Sequence, residues 1–221
     1  MTTLPELLVL TDRRQARASL LETVARAVEG GARAVVLREK DLGGTERAAL
    51  AERLWELLEP VGGLLIAASW PVGPTTAVHL AAKDALPPQS LYDPVGRSCH
   101  DESEVDAASA EGLDYLTVSP VYATASKPRY GPSLGLDGLR ALCARTPVPV
   151  YALGGVGRAS AAACRDAGAA GVAVMGEVMR APDPAGAVAA VLEALSSRSW
   201  SPSGRWAHQA SKISQEPGGA A

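Results

Sequence analysis

The feature that most constrains this chain is a rhythm of short strand-like runs and helical stretches. The runs are Leu7 to Thr11, Ala34 to Leu37, Leu64 to Ala67, Ala77 to Leu80, a fifth centred on Gly96-Arg97-Ser98, Leu116 to Ser119, Val150 to Leu153 and Val172 to Met175. Most are continuously apolar and end in polar, glycine or basic residues. A strand buried on both faces of a parallel sheet has this pattern, without alternation. Between the runs, helices are predicted over Ser19 to Glu29 with Gly30-Gly31 as the stop, Thr45 to Leu58 with Thr45 as N-cap, Glu102 to Ala110, Leu136 to Ala144, Arg158 to Ala167, and Asp183 to Leu195 with Pro184 in its first turn. This order predicts an α/β fold, a TIM (β/α)8 barrel over residues 1–196. A flat doubly wound sheet would show a glycine-rich turn after an early strand, and none is seen. Pro and Gly interrupt the chain between Ile66 and Val78 and between Leu80 and Gly96. The helices after strands three and four are therefore expected to be reduced. From Ser196 the chain is polar and broken by Pro and Gly, so residues 197–221 are expected to be a disordered tail.

A length of 221 residues is enough for one core. The net charge of −3 gives no reason to expect nucleic acid or an anionic membrane as partner. No run of about 18 apolar residues occurs, so no membrane span is expected. Cys99, Cys143 and Cys164 are scattered without CxxC spacing and read as reduced thiols of a cytoplasmic protein. No signal peptide is expected, because a basic leader with a cleavage site is lacking. The composition leaves a homo-oligomer open.

Candidate chemistry gathers at the strand ends, where barrels build their active sites. Gly154-Gly155 follows strand seven and Gly176 follows strand eight. Glycines there let backbone amides approach a phosphate, although each could simply make a tight turn. Arg38-Glu39-Lys40 ends strand two, and alternation turns Arg38 and Lys40 one way and Glu39 the other. Two cations on the mouth side suit a phosphate or pyrophosphate. His100, just past strand five, titrates near neutrality and suits proton transfer. His79 reads as barrel packing. Thr124, Ser126 and Lys127 lie in a long Gly/Pro-rich loop that could close over an anion. Asp84 is a carboxylate that could serve Mg²⁺, but one carboxylate makes a poor site.

Several motifs, in order, resemble the thiamine phosphate synthase/TenI family: Leu37-Arg38-Glu39-Lys40, Val78-His79-Leu80, Gly96-Arg97-Ser98-Cys99-His100, Ser119-Pro120-Val121-Tyr122 with Thr124 to Lys127, and Ala152-Leu153-Gly154-Gly155-Val156. The resemblance implies a small phosphorylated thiazole as substrate. One branch of the family, the synthase, joins it to a pyrimidine pyrophosphate with Mg²⁺. The other, the TenI-like thiazole tautomerase, moves a proton and needs no metal. It further implies pyrophosphate-side roles for Arg38, Lys40, Ser98 and Lys127, and a metal role for Asp84 in the synthase case. The synthase pattern ends strand three in Ile-Asn-Asp, whereas this chain reads Ile66-Ala67-Ala68-Ser69-Trp70. That loss, with the Gly-Arg-Ser-Xaa-His form at strand five, favours the tautomerase. His100 is then the catalytic acid/base, Arg38 and Glu39 act on the carboxylate end, and no cofactor is required. The synthase is the alternative, and a phosphate-binding barrel without catalysis is a third.

Overall fold

The computed structural model describes residues 4–88, 91–123 and 133–197. Eight parallel strands close into a barrel in sequence order. They are β1 Leu7–Leu10, β2 Ala34–Leu37, β3 Leu64–Ala68, β4 Ala77–Leu80, β5 Val95–Cys99, β6 Tyr115–Val118, β7 Val150–Leu153 and β8 Gly171–Val174. The barrel shuts where Leu7, Leu8 and Val9 of β1 register against Val172, Ala173 and Val174 of β8.

Alternation along each strand sorts its residues between two cores. Leu7, Val9, Val35, Leu37, Leu65, Val78, Leu80 and Cys99 point outward and pack under the helices. Leu8, Leu10, Val36, Ile66, Ala68, Tyr115, Tyr151 and Ala173 fill the interior. Extending the inward parity past the strand ends brings Arg38, Ser98 and His100 to the mouth.

The helices are α1 Leu20–Glu29, α2 Gly44–Leu58, α3 Glu102–Ser109, α4 Gly135–Arg145, α5 Ala161–Asp166, α6 Gly176–Met179 and α7 Pro184–Ser196. As predicted, the helices after strands three and four are reduced: no α-helix lies between β3 and β4 or between β4 and β5 among the described residues. Two arginines hold these strand ends instead. Arg47, from α2, donates to the carbonyls of Ala68 at 2.7 Å and Leu37 at 3.1 Å. Arg97, pointing outward from β5, donates to the carbonyls of Ala81 at 3.0 Å, Ala82 at 3.2 Å and Asp84 at 2.8 Å, and to Glu111 at 2.8 Å.

Three local expectations need correction. Gly43, not Thr45, caps α2, because the Gly43 carbonyl takes the Arg47 N–H at 2.9 Å and Thr45 already lies in the first turn. Helix α5 starts later than Arg158, since the Ser160 hydroxyl closes a turn by accepting the Gly157 N–H at 3.2 Å. The short α6 was not foreseen. Cys99, Cys143 and Cys164 form no disulfide. No described helix is long and apolar enough to cross a membrane. The expected tail falls, beyond Ser197, outside the described residues.

Candidate active site

The end of β2 divides its three charges. The Arg38 backbone N–H donates to Thr11 Oγ1 at 3.0 Å, and its guanidinium reaches Met175 Sδ at 2.9 Å, so it leans toward the end of β8. Lys40 leans the other way, with Nζ 2.5 Å from Ser69 Oγ just past β3. Glu39 is buried, and its two oxygens accept the Arg13 N–H at 3.0 Å and the Arg13 guanidinium at 2.8 Å. The Glu39 carboxylate, expected to act on a substrate carboxylate, is thus engaged by Arg13. Its parity points it away from the mouth, where it ties the β1 turn to the β2 turn. Arg13 also pairs with Asp41, and hydrogen bonding to Arg13 is the leading cause holding the Asp41 carboxyl far below its usual range.

The β3–β5 side is built from side chains. Ser69 takes a left-handed backbone (φ +68°), uncommon for any residue with a side chain. Asp84 Oδ2 accepts the Ala81 N–H at 2.8 Å. Burial pushes the Asp84 carboxyl up, but bonds from Ser69 and Ala81, with the charges of Lys40 and Arg97, outweigh it and hold the group below its ordinary value. His79 is enclosed in the barrel, its Nε2 2.9 Å from Ser98 Oγ and its Nδ1 3.0 Å from the Tyr115 hydroxyl. Burial above all, then the charges of Lys40, Arg38 and Arg97, pushes its pKa down to about 3, so the ring is neutral. His100 follows β5, half-buried. Glu104 Oε2 lies 2.8 Å from its Nδ1 and 2.8 Å from its backbone N. That carboxylate favours the Nδ1–H tautomer and makes Nε2 the basic atom.

These residues do not fit a Mg²⁺ held by the protein. No three His, Cys, Asp or Glu side chains gather as a metal group among the described residues. Counted from Ile66, the Asn-Asp of the synthase pattern falls on Ala67 and Ala68, which offer no ligand, and Ser69 just beyond them is bonded to the Lys40 ammonium. Asp84 alone is a poor match for a cation that demands octahedral oxygen ligands.

The β7–β8 side is built from backbone. Gly154 and Gly155 take φ of +90° and +65°. A Cβ at Gly154 would lie 2.8 Å from Pro120 Cα, and one at Gly155 would lie 2.7 Å from the Ala123 carbonyl oxygen. Their amides donate to no acceptor among the described residues. Gly176 opens α6, and Arg180 lies against it, bonded to Gln15. Glu177 turns away and accepts the Arg158 N–H at 3.2 Å.

The expected site residues Arg38, Lys40, Ser98, His100, Gly154, Gly155 and Gly176 thus fall at the strand ends or just beyond them. Asp84 joins Lys40 and Ser69. Thr124, Ser126 and Lys127 lie outside the described residues. Sequence reasoning missed Arg47, Arg97 and Arg180. Of these only Arg97 carried a usable signal, a charge at an outward position within a strand.

A family model described as "Thiamine monophosphate synthase" matches residues 7–178. A thiamine-phosphate synthase of Roseiflexus castenholzii is 34% identical over 205 residues, covering 86% of this chain and 88% of its own. Another, from Moorella thermoacetica, is 32% identical over 199 residues, covering 85% and 93%. The solved structure of a thiamine phosphate pyrophosphorylase from Pyrococcus furiosus superposes with a TM-score of 0.77 at 27% identity, covering 87% of this chain and 96% of that one. These names are those of the synthase, not of a tautomerase.

Proposed function

The chain belongs to the thiamine monophosphate synthase family, and on that footing we propose that it is a thiamine biosynthesis transferase that joins a pyrimidine pyrophosphate to a thiazole phosphate. The observation that carries this reading is the division of one mouth into two anion-seeking sides. Arg38, Lys40 and Ser98 offer side-chain donors toward a pyrophosphate. Gly154, Gly155 and Gly176 offer backbone amides, beside Arg180, toward a phosphate.

In the condensation the C–O bond to pyrophosphate breaks and its electron pair leaves with the pyrophosphate. Donors fixed where that charge develops stabilise the transition state more than the ground state. Arg38, Lys40 and the Ser98 hydroxyl take that role in this reading, and no step is assigned to a metal. Lys127, the fourth expected pyrophosphate-side residue, is outside the described residues.

A second reading, the TenI-like tautomerase, is favoured by one arrangement. His100 is oriented by Glu104, while the end of β3 carries Ala67-Ala68 in place of the synthase Asn-Asp pair. There His100 Nε2 would move the proton, with no metal.

The test is turnover by the full chain, with and without EDTA, monitored by pyrophosphate release and by aromatisation of a thiazole carboxylate phosphate. The proposal expects pyrophosphate release that depends on both substrates. Aromatisation alone, cut about 10²- to 10⁴-fold by His100→Ala, would give the site to the tautomerase. Absence of both reactions would leave a non-catalytic phosphate-binding barrel.

A further inference from the structure

The barrel interior holds a polar column beneath the mouth. It runs from Tyr115 on β6, through His79 on β4, to Ser98 on β5. The Tyr115 ring is fully buried and stacks on His79 with centroids 5.4 Å apart. Its hydroxyl lies 3.0 Å from His79 Nδ1, the partner it has among the described residues. Buried hydroxyl hydrogens need an acceptor, and a neutral imidazole offers one such nitrogen. If the phenol donates to Nδ1, the ring carries its proton on Nε2. That N–H then donates to Ser98 Oγ at 2.9 Å.

The consequence falls on Ser98. With its oxygen accepting from His79, its hydrogen needs another target. Thr117 Oγ1 is 3.4 Å away, too far for a strong bond. Ser98 is half-buried and sits at the mouth. The opposite polarity is worse in two ways. It leaves the buried phenol hydrogen without an acceptor, and it turns the Ser98 lone pairs toward an incoming anion.

We infer that Tyr115 and His79 are positioning residues that fix the Ser98 hydroxyl as a one-way donor toward a substrate phosphoanion. The inference rests on the reading of Ser98 as a pyrophosphate ligand. Neutrality of His79, which burial secures, is required, because an imidazolium would donate at both nitrogens and leave the phenol hydrogen unmatched.

Two measurements test it on the full-length protein. The first is the ¹⁵N spectrum of histidine-labelled protein, with His79 assigned by His79→Gln. The Nε2–H tautomer is expected, and the bias should fade in Tyr115→Phe, which keeps the ring. An Nδ1–H tautomer in the wild type overturns the relay. The second is calorimetry with inorganic pyrophosphate. Ser98→Ala should weaken binding roughly tenfold, as loss of a hydrogen bond to a charged group does. Tyr115→Phe should weaken it several-fold alone and not at all when added to Ser98→Ala. Equal losses in both backgrounds would mark Tyr115 as merely structural and overturn the relay. Unchanged affinity in Ser98→Ala, with the expected tautomer present, would instead overturn the assignment of Ser98 as an anion ligand.

Discussion

The two sides of the barrel mouth are made of different material. The β7–β8 side presents backbone, shaped by glycines whose positive φ and close neighbours exclude a Cβ. The β2–β5 side presents Arg38 and Lys40 from just past β2, His79 from β4 and Ser98 from β5, and among the described residues no α-helix follows its strands β3 and β4. A backbone site is rigid because the chain itself is the ligand-facing surface. A side-chain site is rigid only if something holds its strand ends, and here Arg47 and Arg97 do so. The difference teaches that preorganisation has two sources in one barrel, and that each should fail in its own way.

The largest expected effect comes from Gly155→Val. The substitution combines left-handed strain with overlap at Ala123, 2.7 Å away, and Tyr122 Cβ, 2.8 Å away. A loss of about 3 kcal/mol or more is expected, seen as a lower melting temperature, with thiazole phosphate affinity down more than about tenfold. Gly135→Ala is the control. Gly135 shares a φ of +64°, but nothing lies within 4 Å of its Cβ position. It should cost about 1 kcal/mol and leave affinity alone. Wild-type thiazole phosphate affinity in Gly155→Val, measured by calorimetry, would break the assignment of the backbone side.

Next in size is Arg97→Met. It strips donors from three carbonyls in the Ala81–Asp84 segment and removes one partner of Glu111. About 2 kcal/mol should be lost in urea denaturation, as expected for a broken buried polar network. Pyrophosphate affinity should fall while thiazole phosphate affinity holds. Equal loss of both ligands would erase the distinction between the two sides.

The sequence made the backbone side easier to read than the side-chain side. Continuous apolar runs disclose buried parallel strands, and Gly154-Gly155 after one of them discloses a turn whatever else is true. The Pro and Gly interruptions after Ile66 and Leu80 likewise foretold the missing helices. Arg47 could not be read this way. It lies in a helix among other charged residues, and only the closed barrel brings it to Ala68. The Arg13 partner of Glu39 was not legible, because parity says which way a side chain points, not that Arg13 waits there. His79 looked like packing, and its partners Tyr115 and Ser98 come from other strands, a juxtaposition set by register.

A third expected effect is on the pH dependence of stability. The folded His79 pKa is pushed down to about 3 from an ordinary 6.5. Between those values the unfolded chain binds one more proton than the folded one. Stability from this group is therefore complete above the unfolded pKa and is lost as pH falls toward the folded one. The slope should approach about 1.4 kcal/mol per pH unit between about pH 6 and pH 4.5. Asp41, Asp84, Asp101 and Asp106 also have lowered pKa values, but their contributions are lost mainly below about pH 5, toward the acid end of this window. Urea midpoints across the upper part of the window isolate His79, and His79→Gln should flatten the curve there. An unchanged slope would mean that the ring is not held neutral, and the side-chain side would lose its central support.

The smallest effect sharpens the comparison most, because it asks whether the side-chain side works without a metal. Ser69 already occupies a left-handed backbone position at φ +68°, which aspartate tolerates better than most residues. Ser69→Asp should therefore fold, and it would place a second carboxylate beside Asp84, the residue Ser69 now hydrogen-bonds. Mg²⁺ sites often need only one or two carboxylates once a substrate phosphate joins them. In calorimetry at matched ionic strength, wild-type affinity for inorganic pyrophosphate should change little between EDTA and Mg²⁺. The variant should gain up to about tenfold with Mg²⁺, ~1.4 kcal/mol, the gain being limited because the Lys40 ammonium competes for the new carboxylate. A large Mg²⁺ dependence in the wild type would show that Asp84 and the substrate suffice to hold the cation. The cations of β2 would then share the leaving-group charge rather than carry it.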